Sequence, residues 1–454
     1  MNEELQAVEA ELLARLPETK IDPTLEREQA LMDLLGEPQR SYQSVHITGT
    51  NGKTSTARMI DQLLGAFELR TGRLTSPHLA SVTERITLDG EPISAERFVE
   101  VYRDIKPYME MVDSGVGVPE REGGPLPLSF FEAVTGLGYA AFADAPVDVA
   151  VVEVGMGGTW DSTNVIDAAV SVVTPIDLDH TDKLGGTPGE IAVEKSGIIK
   201  PGGIAVLAQQ PVDAAQVLLK HAVEVDATVA REGMEFGVLS RQVAVGGQLL
   251  TLRGLGGEYP DVFLPLHGEH QAHNAAVALA AAEAFFGVGA AQNEPLNIEK
   301  VRAAFASVRS PGRMEVVRRS PTVLLDAAHN PAGARATAAA VQEAFGFTRL
   351  VGVLAVAKDK DVRGVLEAFE PVLAEVVVTR NSLPRSMPPD ELAALAVEVF
   401  GPDRVQVETR LDDAIDAAVA LAEEEGDLGG AGVLVTGSVI TAGEARVLLG
   451  TLEG

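Results

Sequence analysis

Ser44-Val45-His46-Ile47-Thr48-Gly49-Thr50-Asn51-Gly52-Lys53-Thr54-Ser55 is the stretch that decides the fold of this chain. It reads as a buried strand, a tight glycine turn carrying a lysine, and a helix start. Ile60, Leu63, Leu64 and Phe67 then fall on one helical face. A strand–turn–helix of this kind points free backbone N–H groups and the positive end of a helix dipole at an anion. Lys53 adds a mobile positive charge for β- and γ-phosphates, and Thr54 or Ser55 offers a hydroxyl to Mg2+. The turn departs from the standard phosphate-loop spacing, which needs a glycine where Ile47 stands. Its first glycine is Gly49, so the loop has the shorter Gly-x-x-Gly-Lys-Thr form. A glycine turn before a helix is on its own often a mere connection. The lysine and hydroxyls, placed after a strand, point to binding of a nucleoside triphosphate and to phosphoryl transfer.

Outward from this stretch the chain reads as alternating strands and helices. Residues 1–40 look helical, with a turn at Gly36-Glu37-Pro38. Thr71 to His78 reads as a strand entering a loop. Val147 to Val154 is a near-continuous apolar run, which suits a parallel strand buried on both faces, and Val170 to Thr174 is another. Thr187-Pro188-Gly189-Glu190 opens a helix with Thr as N-cap, Pro at the first helical position and Glu in the capping-box place; that helix should end near Lys200. Residues 225–266 look irregular and β-rich, and His270 to Phe286 is an alanine-rich helix. Past a hinge near Ser310-Pro311-Gly312-Arg313, strands at Val323–Ala327, Leu350–Leu354, Val376–Thr379, Val405–Glu408 and Val433–Gly437 alternate with helices, as in a second α/β unit.

The bulk numbers narrow the function. At 454 residues, 46% hydrophobic and 22% charged, the chain suits a globular enzyme of two or three domains. No apolar run is long enough to span a bilayer, and Met1-Asn2-Glu3-Glu4-Leu5 lacks a signal-peptide pattern. With no cysteine there is no thiolate nucleophile, no disulfide and no Cys-ligated zinc, which is compatible with a cytoplasmic location. A formal net charge of −30 argues against nucleic acid as a main partner. An anionic substrate would therefore be held by a local basic site against a repulsive global field.

Ligands of open parallel sheets gather at the carboxyl ends of strands, where Lys53, Ser76, Glu153 and His180 stand. Glu153 ends a buried run and precedes Gly155-Met156-Gly157-Gly158, so it can face a metal beside the phosphate loop; alternatively it reaches water. His180 is open to a reading as an ordinary loop histidine. Together these groups suggest hard oxygen ligands and one imidazole, suited to Mg2+ or Mn2+. Lys195, partway along an apolar helix, would ordinarily snorkel or pair with Glu194. Gln271 and Asn274 read as capping or surface residues, and His270 with His273 is weak as a metal pair. Asp326 and His329 follow a strand, with an Asx turn and helix cap as the alternative reading.

These residues together resemble the folylpolyglutamate synthase/dihydrofolate synthase family of the Mur ligase superfamily. The resemblance rests on Gly49-Thr50-Asn51-Gly52-Lys53, Ser76-Pro77-His78-Leu79 with Glu84-Arg85-Ile86, Phe131-Glu132, and Glu153 to Gly158 with Asp161-Ser162-Thr163-Asn164. It extends through Asp179-His180, Glu194-Lys195-Ser196-Gly197-Ile198-Ile199-Lys200, Gln271 with Asn274, Pro311-Gly312-Arg313, Asp326 to Pro331, and Thr436-Gly437-Ser438. The resemblance implies an α/β fold: an N-terminal P-loop ATPase domain of Mur ligase type and a C-terminal Rossmann-like domain, divided as 1–309 and 310–454, with the active site between them. It implies two Mg2+ ions held by Ser76, Glu153 and His180 with Thr54, and a carbamoylated Lys195 that becomes an extra carboxylate facing metal. Besides Gly49 to Ser55, it assigns ATP contacts to Asn274, Arg313, Asp326 and His329. Ile21, Asp22, Leu25, Arg27, Ser129, Phe130, Phe131, Glu132, Trp160, Asp161 and Ser162 match the pterin side, although Phe130 and Phe131 also read as core. Three positions depart from the pattern: Lys53-Thr54-Ser55 for Lys-Gly-Ser, Thr159-Trp160 for Arg-Leu, and Ala327 for Gly.

The expectation is an ATP-dependent ligase that adds L-glutamate to dihydropteroate, reduced folates or both, through an acyl phosphate. Lys53, Glu153, His180, Lys195 and Arg313 would carry the chemistry. The protein would work as a cytoplasmic monomer with ATP, L-glutamate and a folate or pteroate as partners, and without nucleic acid or membrane. The rivals are a peptidoglycan Mur ligase using a UDP-linked peptide and a nucleotide switch that hydrolyses ATP without ligating.

Overall fold

The computed structural model describes residues 3–17, 22–289, 294–424 and 430–450. An eight-stranded sheet dominates the first part, in the order β4-β3-β2-β5-β1-β6-β7-β8. Its strands are β1 (Gln43–Thr48), β2 (Thr71–Leu74), β3 (Ile86–Leu88), β4 (Glu91–Pro92), β5 (Val149–Glu153), β6 (Val170–Val173), β7 (Ile204–Leu207) and β8 (Thr228–Arg231). The pairs from β2 through β8 are parallel, and β3 and β4 add an antiparallel edge. β1 lies between β5 and β6, where the strand order turns back, so the loop after β1 opens at the sheet's switch point.

The apolar run of β5 explains why it sits at the centre. Val149 and Val151 join the core formed with helices α3 (Lys53–Ala66), α9 (Glu269–Phe285) and α10 (Ile298–Ala306). Ala150 and Val152 face the opposite core, built with α1 (Glu3–Leu13), α2 (Glu26–Leu34), α4 (Ala95–Asp113) and α5 (Phe130–Asp144). A strand covered on both faces has no polar side, which is the continuous pattern of a parallel sheet. The short α6 (Thr181–Leu184), α7 (Pro188–Ser196) and α8 (Val212–Glu224) follow β6 and β7. Thr187 caps α7 in a full capping box with Glu190 and with Pro188 at the first turn, as the sequence predicts. The helix ends at Ser196, earlier than expected, because Gly197 closes it with bonds to Glu194 and Lys195. The β-rich stretch divides: β8 completes the large sheet, while β9 (Gly237–Ala244), β10 (Gly247–Arg253) and β11 (Glu258–Leu264) form an antiparallel sheet.

The second part holds a six-stranded sheet in the order β12-β13-β17-β14-β15-β16. Its strands are β12 (Glu315–Arg319), β13 (Thr322–Leu325), β14 (Arg349–Leu354), β15 (Glu375–Val378), β16 (Val405–Val407) and β17 (Ala431–Thr436). All pairs are parallel except β12 with β13. Helices α11 (Pro331–Ala344), α12 (Val362–Phe369) and α13 (Pro389–Phe400) pack on one face, α14 (Leu411–Glu423) and α15 (Val439–Leu449) on the other. Strand residues alternate between them, with Leu350 and Leu354 in one core and Val351 and Val353 in the other.

A buried ion pair fixes α3 on β2: Asp61 and Arg73 are 1% and 3% exposed at their side chains and in direct contact. Removing one partner leaves a buried charge uncompensated. Asp61→Ala is expected to destabilise the protein by about 3–5 kcal/mol, read from guanidinium unfolding curves. A loss within experimental error would show that Arg73 finds water or another acceptor.

Candidate active site

The loops after β1, β2, β5 and β6 converge at the carboxyl edge of the large sheet. Gly49 adopts φ 146° and is pressed on the β6 end: a Cβ there would lie 1.9 Å from Thr174 Oγ1. Thr50 ties the loop to the same region, its hydroxyl donating to the Asp177 carbonyl at 2.9 Å and accepting from the Asp177 N–H at 3.0 Å. Gly52, φ 89°, caps α3, and a side chain there would strike Asn274 at 2.6 Å. The first-turn N–H groups of α3 therefore open on the loop with no intrahelical acceptor. Lys53 folds over the loop, donating to the carbonyls of Gly49 at 3.1 Å and Thr50 at 3.2 Å.

Glu153 ends β5, and its side chain is buried against α3 rather than turned to water. The Thr54 hydroxyl sits 2.9 Å from each of its oxygens. Burial raises the Glu153 pKa, opposed by the charge of Lys53, the Thr54 hydrogen bond, Arg313 and the Ser76 backbone. Lys195 does not pair with Glu194. It is buried, and its Nζ donates to the Gly49 carbonyl at 2.8 Å. Burial, with the nearby charge of Lys53, lowers its pKa to about 7. Desolvation likewise lowers Lys53.

His180 has a left-handed backbone, φ 51°, at the start of α6. Burial takes its pKa to about 4, so the imidazole is neutral at physiological pH. Neighbouring Asp179 is the point where the second unit meets the first. It accepts from Lys360 Nζ at 2.5 Å and from Asn330 Nδ2 at 3.4 Å, and His329 Nε2 lies 3.6 Å away. Burial works against its charge, yet the His329 contact and the charge of Lys360 hold its carboxyl well below the usual range. Asn51 and Asn330 exchange amide hydrogen bonds of 3.3 and 3.1 Å, and Ser55 Oγ lies 3.1 Å from Ser310 Oγ.

Other candidates sit differently from their simplest readings. Gln271 and Asn274 are buried, not on the surface: Asn274 donates to Gln271 at 3.1 Å, and Gln271 to Ser55 at 3.4 Å. His273 contacts Glu232 and not a metal pair with His270. Asp326 takes hydrogen bonds from the N–H of Met314 and Ala328 at 3.0 Å and from Thr337 at 2.7 Å, which is loop organisation of the Asx kind. Arg313 donates only to the Gly312 carbonyl, at 3.1 Å, among the described residues.

On the acceptor side, Arg27 bridges Asp22 at 2.6 Å and Glu132 at 2.9 Å. Glu132 also forms a capping box with Ser129 at the start of α5. Phe130 is buried in the core under the Arg85 guanidinium, 4.9 Å from its ring centre. Phe131 instead crosses Gly155, where a Cβ would lie 2.6 Å from its ring. Trp160 covers Gly157, and Asp161 is buried with the Met156 N–H on it at 2.8 Å. Ser162 lies 3.1 Å from the Thr135 hydroxyl, and Leu25 packs on the neighbouring core. Ile21 lies outside the described residues.

The donor set fits a hard divalent cation in chemistry: one buried carboxylate, the Thr54 and Ser76 hydroxyls, and a neutral imidazole. Among the described residues no three His, Asp or Glu side chains gather as a ready cage, so such an ion would draw its remaining ligands from substrate or a modified lysine. Sequence reasoning missed Lys360 and gave Asp179 no role, although Asp359-Lys360-Asp361 follows β14 as Asp179 follows β6.

The Mur ligase glutamate ligase domain matches residues 312–439, and the Mur ligase middle domain residues 129–282. A dihydrofolate synthase/folylpolyglutamate synthase of Mycobacterium tuberculosis is 55% identical over 98% of this chain and 94% of its own. The M. tuberculosis folylpolyglutamate synthase solved with ADP and AMPPCP superposes with a TM-score of 0.92 at 53% identity, covering 99% of each chain. E. coli FolC, solved with DHPP and ADP, gives 0.82 at 28% identity over 98% of this chain and 97% of that one. The chain belongs to the dihydrofolate synthase/folylpolyglutamate synthase family. Among the described residues no helix is long and apolar enough to cross a membrane.

Lys195 sets a stability signature. Its folded pKa of about 7 lies below its ordinary 10.5, so the unfolded chain binds the extra proton between those values. The penalty is complete below about pH 7 and is relieved as pH rises toward 10.5. In bicarbonate-free buffer, unfolding free energies of wild type and Lys195→Met should diverge across that window, wild type gaining with pH. Parallel curves would place the ammonium in contact with water.

Proposed function

We infer that this chain is an ATP-dependent amide ligase that joins L-glutamate to dihydropteroate and to reduced folates. One observation carries the reading. Lys53, Lys195 and Arg313 surround Glu153 and the phosphate loop, partly or wholly buried, with no carboxylate within ion-pair distance among the described residues. In a chain of charge −30, cations kept apart from carboxylates mark a site for anions that come and go. The E. coli neighbour solved with DHPP and ADP supports the acceptor class.

The reaction follows from what these groups can hold. The α3 N-terminus, Lys53 and Arg313 fix the triphosphate and take up charge as the γ-phosphoryl group passes to the acceptor carboxylate. The bond between the β–γ bridging oxygen and phosphorus breaks, a carboxylate oxygen bonds to phosphorus, and ADP leaves. The amine of L-glutamate then attacks the acyl carbon, loses a proton and expels inorganic phosphate. No side-chain nucleophile takes part, in keeping with a chain free of cysteine. Asn274, Asp326 and His329 complete the nucleotide side, directly or by shaping its loops. Asp22, Leu25, Arg27, Ser129 to Glu132 and Trp160 to Ser162 would form the acceptor side, Phe131 and Trp160 offering faces to a flat heterocycle.

Mg2+, or Mn2+, supplies electrophilic charge to the phosphoryl oxygens when bound, and Thr54, Ser76, Glu153 and His180 would hold two such ions with Lys195. The depressed Lys195 pKa favours its neutral amine, which adds to CO2 with loss of a proton to give a carbamate. The same reading divides the chain at 309/310, supported by strands of the large sheet before it and of the six-stranded sheet after it. It describes a cytoplasmic monomer serving folate and one-carbon metabolism.

Glutamate-dependent phosphate release should appear with dihydropteroate and with a reduced folate, and not with a UDP-muramoyl peptide. Activity confined to the UDP-peptide would make the chain a peptidoglycan ligase, and phosphate release indifferent to glutamate would make it a switch. Lys53→Ala should remove turnover by at least about a hundredfold, the loss of a charge-assisted contact in the transition state, while its circular dichroism stays that of wild type. Near-normal turnover in that variant would reject the phosphate-loop assignment.

A further inference from the structure

Thr54, Arg58 and Asp61 occupy one stripe of α3, at spacings of four and three. Two of the three have partners: Thr54 holds Glu153, and Asp61 holds Arg73. Arg58, between them, makes no hydrogen bond or ion pair among the described residues, although it is only partly exposed. Helical side chains lean toward the N-terminus, which favours a guanidinium set back along the stripe toward Thr54, about 6 Å along the axis, and the charge of Glu153 reaches it.

The charges around Arg58 do not satisfy it. Arg73 and Arg313 repel it, and burial and these cations lower its pKa to about 10. The nearby carboxylates are committed elsewhere. Glu84 accepts from the N–H groups of Leu79, Ala80 and Ser81 at 2.9–3.0 Å, and Glu153 holds Thr54. Arg313, a second guanidinium here, donates only to its neighbouring carbonyl among the described residues. Arg58 and Arg313 thus lie near enough for their charges to repel, and among the described residues neither has a carboxylate partner. Leu79 of the same loop packs on Gly312 and Gly443 of the second unit, so the seam is closed around them.

We propose that Arg58 holds a non-reacting carboxylate of a glutamyl unit, either of the incoming L-glutamate or of a glutamate-ended acceptor. The proposal rests on the ligase reading above. The phosphates have the α3 N-terminus, Lys53 and Arg313; Arg58 is one helical turn past Thr54, away from the phosphate loop. A planar fork fits a carboxylate by two parallel hydrogen bonds. Glutamate brings such a second carboxylate, and dihydropteroate does not. Arg58 is thus a specificity-determining residue, and its unpartnered burial costs the empty protein stability.

The test compares Arg58→Gln and Arg58→Lys with wild type in the full chain. Expected for Arg58→Gln is a KM rise of about ten- to a hundredfold, the value of a charge-assisted contact, with KM for ATP unchanged and Tm equal to or above wild type. Arg58→Lys should recover part of the loss. A rise for reduced folate alone, with dihydropteroate unaffected, assigns the acceptor's carboxylate. A rise for L-glutamate with both acceptors assigns the incoming amino acid. Unchanged KM for both, or a Tm that falls in step with activity, overturns the proposal. Calorimetric titration of γ-glutamylglutamate and of L-glutamate, with AMPPCP present, reads the contact without turnover. Wild-type binding of at least one, weakened in Arg58→Gln, supports the proposal even if no acceptor is turned over. Equal binding by both proteins, or none by wild type, rejects it.

Discussion

Glu153 stands at the end of the central strand with the Thr54 hydroxyl on both its oxygens, and around it the positive side chains are held off. Lys53 and Lys195 donate to backbone carbonyls, Arg313 to the carbonyl beside it, and Arg58 to nothing among the described residues. Elsewhere the chain pairs its cations freely, as in Arg27 with Glu132 and Asp22, or Arg73 with Asp61. Permanent ion pairs at the strand ends would have neutralised the charge that an incoming phosphate or carboxylate needs. The site is kept incomplete, and the depressed pKa of Lys195 and Lys53 is the mark of that cost.

Asp179 resolves the opposite problem, how to bring two units together without closing the site. It gathers Lys360, Asn330 and His329 of the second unit on one carboxylate at the edge of the phosphate loop. The Asn51–Asn330 amide pair and the Ser55–Ser310 contact lie beside it. These polar contacts run beside apolar ones, Leu79 on Gly312 and Gly443 and the His267 ring edge-on to Phe345. In the proposed reaction such a seam would shield the acyl phosphate from water.

What the sequence made legible was local or periodic. The strand–turn–helix from Ser44 to Ser55, the two-sided apolar run of β5 and the Thr187 capping box each depend on residues a few positions apart, and each is present as read. The antiparallel edge strand β12 escaped because Glu315 to Arg319 sets two adjacent valines between charged residues, without the alternation of a half-buried strand, and its register shifts between Val316 and Arg318. Gln271 and Asn274 looked like surface polars because only the fold reveals Gly52 and Ser55 against them. Lys360 and Asp179 are separated by 181 residues, and no periodicity connects them. The Ser129–Glu132 segment shows the converse: its cap geometry accounts for residues that the resemblance places on the acceptor side.

The net charge of −30 and the cationic site coexist because they act over different ranges. At physiological ionic strength exposed charges are screened beyond roughly 8 Å, so the acidic surface repels an anionic substrate only near contact. Lys195 is buried and Arg58 and Arg313 stand at a closed seam, where screening is weak and the effective dielectric low. A polyanion such as ATP or a polyglutamate therefore meets modest repulsion on approach and strong attraction once inside. Raising salt should weaken the outer repulsion more than the inner attraction, the reverse of a protein that draws anions with surface lysines. The acidic exterior thus serves solubility without defeating capture, and selectivity falls to the few guanidinium and ammonium groups that, among the described residues, have no carboxylate partner.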